Sequence, residues 1–217
     1  MITLIQSFKG TELIIAGLAM ILTLVVSLSL HEFAHAFAAY KCGDDTPKIN
    51  GRLTINPIAH MDPMGLLFCL FFGFGWAKPV EVNPLKFKKY KTGNAWVSIA
   101  GVLTNYTLAF VSYFLYLICV KCIVEYNNLL TFLEVFFFLM FSLNTMLFVF
   151  NLLPLYPLDG FNFLQSFSNG NNKFLKYSAE KGPILLLGLV LVDDLLYYTA
   201  GLSILNFLVD IVSLPIK

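Results

Sequence analysis

The sequence predicts an all-α polytopic membrane protein of about four to six transmembrane or re-entrant helices with a short membrane-associated β-hairpin. Three observations predict it. First, 58% of the 217 residues are apolar or aromatic and 12% are charged, against about 25% charged in ordinary soluble domains. With mean hydropathy at +0.77 and net charge at +1, a disordered chain and a nucleic-acid binder are excluded, because neither a polar shell nor a basic surface can be built. Second, several uncharged runs match the roughly 20 residues that cross a bilayer. Third, two short Asn-Pro pieces between the first and second runs alternate like strands.

Taken in order, Leu13–Leu30 is uncharged and runs directly into His31-Glu32-Phe33-Ala34-His35. It lacks the short apolar core and small-residue cleavage site of a signal peptide, so a first spanning helix continues to about Tyr40. Cys42-Gly43-Asp44-Asp45-Thr46-Pro47 then stops it. Gly51–Pro57 and Lys78–Pro84 read as two strand-like pieces, with Leu53, Thr54, Ile55, Val80 and Val82 as their pairing positions. Between them Gly65–Trp76 is apolar, too short to span, and broken by Gly73 and Gly75. Lys86, Lys88, Lys89 and Lys91 form a basic loop.

Ala95–Val120 is a second span and Leu129–Leu158 a third, its end bent or opened by Pro154 and Pro157. Residues 161–182, with Asn169-Gly170-Asn171-Asn172, read as a polar loop. Pro183–Val192 and Leu195–Val209 are one long helix or a tight hairpin, with Asp193 and Asp194 marking the turn. Four cysteines are too few for a disulfide scaffold, and Cys119 and Cys122 read as ordinary thiols.

His31 and His35 lie four residues apart, on one face of a helix, where two neutral imidazoles can hold one metal ion. Glu32 stands beside them within reach of a metal-bound water, the pattern of a zinc site with a carboxylate general base. Three ionisable groups at the edge of an apolar run must satisfy one another or an ion. A catalytic zinc takes a third protein ligand and leaves a position open. Asp159, isolated between Leu158 and Gly160, is the candidate; the alternative is a turn-forming Asp-Gly pair. His60 reads as a structural residue of its loop, ahead of a spare ligand or a proton relay.

These residues resemble the site-2 protease family of intramembrane zinc metalloproteases. The resemblance rests on the His31–His35 motif with Leu158-Asp159-Gly160, on Gly101-Val102-Leu103-Thr104-Asn105, and on Asn151, Pro154, Asp159 and Gly160. Gly51–Pro57, His60-Met61-Asp62-Pro63 and Phe74–Val80 resemble a small bacterial-type subgroup without accessory domains. It covers about residues 13–165. The chain departs from the family where Val102 replaces a proline before the central asparagine, and where Phe161-Asn162 replaces Gly-Arg.

The resemblance implies one Zn2+ ion on His31, His35 and Asp159, with Glu32 as general base. It also implies a single membrane-embedded metalloprotease domain over residues 1–217. Asn105 and Asn151 are candidate donors to an oxyanion, with interhelical hydrogen bonding the equal alternative. The expected partners are the lipid bilayer and a membrane-protein substrate with a transmembrane helix, such as an anti-sigma factor or a signal-peptide remnant. No nucleic acid is expected, and oligomeric state is open. A helical substrate must unwind, and the hairpin edge is a candidate strand to pair with it. A membrane metal-ion transporter is the alternative class, but it needs further ligands and repeated halves, and neither is visible.

Two ligands on two helix ends also constrain topology. His35 and Asp159 can share an ion only if Gly65–Trp76 does not cross. Eleven of the fourteen basic residues, among Lys41–Lys91 and Lys173–Lys181, then fall on one side, and Lys9 and Lys121 on the other. The positive-inside rule expects a multi-pass cell-membrane protein with its N-terminus outside and its zinc site near the cytoplasmic face.

Overall fold

The computed structural model describes residues 10–72, 77–122, 127–168 and 171–213. The breaks at Gly73 and Gly75, the Phe74-Gly75-Trp76 part of the motif, Lys9, and Asn169-Gly170 lie outside these residues, as does the side chain of Cys122 and so its pairing with Cys119. Nine α-helices are found among them: α1 (Thr11–Cys42), α2 (Thr46–Ile49), α3 (Pro57–His60), α4 (Pro63–Phe72), α5 (Tyr90–Cys122), α6 (Asn128–Leu152), α7 (Asp159–Phe167), α8 (Lys173–Ala200) and α9 (Ile204–Ser213). Four of them, α1, α5, α6 and α8, are long and apolar enough to cross a membrane.

Helices α1, α5 and α6 pack on one another. Ala19, Met20 and Leu24 of α1 meet Leu139, Phe132, Phe136 and Leu143 of α6. Farther along, Ser27 meets Met140 and His31 meets Asp159, so α1 and α6 run in the same direction. Helix α5 runs against both: Val97 packs with Ala39, and Ala109 with Phe141. The C-terminal ends of α1 and α6 therefore share one end of the bundle. Buried small residues on α1 (Ala16, Ala19, Ala36 and Ala39) let the helices approach closely.

Segment 43–89 leaves α1 and returns to the same end, because Lys88 N–H donates to the Cys42 carbonyl at 3.0 Å. Its helix α4 has 10 residues, about 15 Å long, half the roughly 30 Å of a hydrocarbon core. As described, it falls short of a span.

The expected β-hairpin is not found. Among the described residues 51–57 and 77–84 there is no strand, and the sole ladder contact is one antiparallel bridge between Met61 and Ala77. The reason is where the backbone donors go. Val80 N–H donates to Glu32 on α1 and Asn83 N–H to Asp44 just beyond the end of α1, so the second piece is a strap tied to that helix and its exit. The first piece is a turn. Arg52 donates to the Ala59 carbonyl, and Asn56 caps α3 by accepting from Ile58 N–H at 3.1 Å.

Three further boundaries differ from the sequence expectation. The third apolar run ends at Leu152, and Asp159 opens the separate helix α7 rather than closing α6. Residues 161–182 are mostly helical, shared between α7 and α8. Helix α8 continues through Pro183, Asp193 and Asp194 as far as Ala200, and Gly201 ends it with φ 67°, a conformation that suits glycine. The turn is therefore seven residues later than the aspartate pair. Asp193 instead reaches across it, accepting from Ile204 N–H at 2.6 Å, Leu205 N–H at 3.0 Å and Ser203 Oγ at 2.8 Å, which satisfies the open donors at the start of α9.

Candidate metal centre

His31 and His35 stand one turn apart on α1, both 8% exposed. Their Nε2 atoms are 3.0 Å apart, and Asp159 Oδ2 lies 3.4 and 3.3 Å from them. Each imidazole is held from behind through Nδ1. His35 Nδ1 is 2.7 Å from the Val97 carbonyl oxygen, which only accepts, so His35 donates there and its Nε2 carries a lone pair. His31 Nδ1 faces Asn105 Oδ1 at 2.5 Å, and because Asn105 gives its NH2 to Asn144 Oδ1, a neutral His31 carries its lone pair at Nε2.

With both imidazoles neutral, three electron-pair donors converge here, and Asp159 Oδ2 is buried without a hydrogen-bond partner. Such a trio in a poorly solvated site is unfavourable unless a cation sits between the donors. Ligand bonds of about 2.0–2.1 Å at tetrahedral angles place ligand atoms roughly 3.3–3.4 Å apart, close to the spacings found. His31, His35 and Asp159 therefore fit Zn2+ in donor type and spacing.

Access to this point is built into the backbone. A Cβ on Gly101 of α5 would collide with His35 Nε2 and lie 2.6 Å from His31 Cε1, so only glycine lets α5 pass over the two rings. A Cβ on Gly160 would strike the carbonyl end of Leu152 and Leu153, so the glycine after Asp159 lets α7 start against the end of α6.

The three donors open into a cavity of about 400 Å³ lined also by Glu32, Pro79, Val80, Val82, Pro84, Asn94, Ser98, Asn151 and Asn162. Val80, Val82 and Pro84 alternate along the strap, so one face of an extended chain forms a wall of the cavity. Glu32 Oε2 accepts Val80 N–H at 2.9 Å. Asn94 fixes the neighbouring wall by donating to Ser166 Oγ at 2.8 Å.

The structure brings His31, Glu32, His35, Asp159, Asn151, Val80 and Val82 together around this cavity. It does not bring the others. Asn105 is fully buried between His31 and Asn144, so it faces an imidazole edge and an interhelical partner and is not on the cavity wall. Leu53, Thr54 and Ile55 are also off the wall, and the Thr54 carbonyl accepts from His60 Nε2 at 2.7 Å. His60 is fully buried and holds the loop, and its own carbonyl accepts Lys78 N–H at 2.9 Å.

Sequence reasoning missed the Val97 carbonyl, the Val80 N–H, and the residues Ser27, Asn144 and Asp44. The first two are backbone groups that any residue could supply. Ser27 and Asn144 did carry a signal, as polar side chains inside uncharged runs, where each needs a partner.

No protein-family model matches the chain, and no solved structure matches it. Relatives among curated proteins do. "Putative zinc metalloprotease YwhC" of Bacillus subtilis is 46% identical over 150 residues, which is 67% of this chain and 67% of that protein. "Putative zinc metalloprotease Rip2" of Mycobacterium tuberculosis is 31% identical over 146 residues, 65% of this chain and 54% of its own, so the matched stretch spans about half of Rip2. Rip2 of Mycolicibacterium smegmatis is 46% identical over 52 residues, 24% of this chain and 18% of its own. With 46% identity across two thirds of both YwhC and this chain, the protein belongs to the zinc metalloprotease family that includes YwhC and Rip2.

Proposed function

We propose that the chain is an intramembrane zinc endopeptidase that hydrolyses peptide bonds in or near transmembrane segments of membrane proteins. The observation that carries this reading is the convergence of two imidazoles and a carboxylate in the lining of a cavity that also holds Glu32. His31, His35 and Asp159 would hold one Zn2+ ion, which when bound supplies Lewis acidity toward water and the scissile carbonyl.

The remaining steps fall to the chain's own residues. Glu32 takes a proton from the attacking water and delivers it to the leaving nitrogen as the C–N bond breaks. Val80 N–H holds that carboxylate in place. Asn151, on the cavity wall, is the donor placed for the developing oxyanion. A substrate helix hides its carbonyls in its own hydrogen bonds, so it unwinds before attack, and the extended strap is the wall along which it lies. Asn151 and Pro157, on either side of the point where α6 gives way to 153–158, line the cavity, and broken helices of this kind admit water at membrane depth.

The partners are a membrane protein with a transmembrane helix and the bilayer itself. In the proposed topology the protein is a multi-pass cell-membrane protein with its N-terminus outside. The site then faces the cytoplasm, with the lysines of segment 43–89. A reporter fused after residue 90 is expected to read cytoplasmic, and an extracytoplasmic signal overturns that orientation.

The decisive experiment is Glu32→Gln in membranes containing a single-span substrate, with bound zinc measured on the same sample. The expected outcome is a loss of cleavage of at least about 100-fold with zinc retained. Undiminished cleavage refutes the assignment of Glu32 and with it the peptidase reading.

A further inference from the structure

The buried polar chain behind His31 extends well beyond the ligand. Asn105 Nδ2 on α5 donates to Asn144 Oδ1 on α6 at 3.1 Å. Asn144 Nδ2 donates to the Met140 carbonyl at 2.8 Å and to Ser27 Oγ on α1 at 2.8 Å. Ser27 Oγ in turn donates to Met140 Sδ at 3.6 Å. Ser27, Asn105 and Asn144 are all fully buried, and neither Ser27 nor Asn144 lines the cavity.

The direction of this chain follows from its far end. An amide beside an imidazole is compatible with two arrangements, carbonyl to N–H or N–H to lone pair, so the His31–Asn105 contact alone does not choose a tautomer. The Met140 carbonyl does. It can only accept, so Asn144 must turn its NH2 toward it and its oxygen toward α5. Asn105 must then offer its NH2 to Asn144, and its oxygen is left for His31. His31 accordingly donates from Nδ1 and presents a lone pair at Nε2. His35 needs no such chain, because the Val97 carbonyl sets it directly.

We infer that Asn144, held by Ser27 and the Met140 carbonyl, is a positioning residue that sets the tautomer of His31 and thereby the metal affinity of the site. The inference rests on the reading of His31 as a ligand, and deepens it. Without Asn144, Asn105 is free to present its NH2 to Nδ1. That arrangement moves the imidazole proton to Nε2, where no metal can bind. Removing a group that orients a ligating histidine costs about 10–100-fold in metal affinity.

The test is competitive zinc titration of the full chain in detergent, for the wild type, His31→Ala, Asn144→Leu, and Asn144→Leu combined with Asn105→Asp. An aspartate at 105 has no NH2 to offer, so it accepts from His31 whatever stands at 144. Asn144→Leu is expected to weaken zinc binding at least tenfold, and the double variant to recover most of it. The nitrogen NMR shifts of His31 in the zinc-free protein should move from the Nδ1–H to the Nε2–H pattern in Asn144→Leu and back in the double variant.

Equal zinc affinity in the wild type and Asn144→Leu overturns the inference while leaving the site reading intact. So does a loss that Asn105→Asp fails to recover, since damaged packing is not repaired by changing an acceptor. If the wild type binds zinc no better than His31→Ala, it is the site reading that fails.

Discussion

The bundle of α1, α5 and α6 and the segment 43–89 that folds back over it are built on different principles. In the bundle, backbone groups are satisfied within each helix, and the few polar side chains are freed to bond across helices. In segment 43–89 the helices are short and the backbone is satisfied largely by side chains and by other loops. Asp44 is the clearest case. It is fully buried, and it accepts Thr46 N–H at 3.0 Å and Asn83 N–H at 2.7 Å. Just before it, Gly43 ends α1 at φ 112°, and a Cβ there would lie 3.1 Å from the Lys86 carbonyl oxygen. The difference teaches a division of labour: the bundle carries two of the three candidate metal ligands and seats the third, Asp159 of α7, against its end, and the strap shapes the space above them. Substitutions in the two regions should accordingly separate zinc binding from cleavage.

The largest effect is expected in the bundle. Gly101→Ala places a methyl group against both imidazoles, and α5 cannot retreat without losing the Val97 contact that sets His35. Zinc retention on purification and cleavage should both disappear, while the helical content stays. Zinc bound at wild-type level in this variant would break the proposed division.

Asp44→Ala is the counterpart in the strap. It orphans two backbone donors whose bonds to a charged acceptor are worth about 1.5–3 kcal/mol each, and half of that shifts the closing equilibrium of the strap roughly tenfold or more. Cleavage should fall by about that factor with zinc content unchanged. A loss of zinc equal to that of Gly101→Ala would show that the strap and the bundle are one unit.

The bundle was also the more legible region. The candidate metal-ligating helix announces itself through His31, Glu32 and His35, because a helical spacing of four places side chains on one face whatever surrounds them. Asp159 was legible as a lone carboxylate in an apolar stretch. The ends of α6 and α8 were not. Pro154 allowed a bent helix as well as a stopped one, and Asp193 was read as part of a turn when it caps the helix beyond the turn. The strap misled for a physical reason. The alternation at Val80, Val82 and Pro84 does describe an extended chain with one face on the cavity, but sequence cannot say that its donors go to carboxylates from α1 and not to a second strand. Asn105 was balanced between oxyanion donor and interhelical bond, and it lies buried, bonded to His31 on α1 and Asn144 on α6.

The strap itself can be divided further. Val82→Pro changes the cavity wall and is expected to lower cleavage by roughly tenfold through substrate misplacement, with zinc retained. Ile55→Pro alters a turn that does not reach the cavity and should leave turnover unchanged. Equal losses in the two variants would restore the idea of a paired hairpin that acts as one surface.

The smallest effect belongs to Lys86, which lies 2.6 Å from Asp45 and 4.0 Å from Asp44. The ammonium hydrogen-bonded to Asp45 holds that carboxyl below the usual aspartate range, and Asp45 raises Lys86 in return. Because the folded-state value of Asp45 is depressed, the pair helps to hold the strap above the ordinary value of 3.8, and its contribution fades as pH falls below that. Both side chains are exposed, however, and exposed pairs contribute little. Lys86→Met should therefore change cleavage at neutral pH by less than about threefold, and its ratio to the wild type should be flat from pH 6 to pH 8. A large loss from Lys86→Met beside a small one from Asp44→Ala would reverse the ranking of buried over exposed anchors. It would also mean that the strap is held from the solvent side and not from the end of α1.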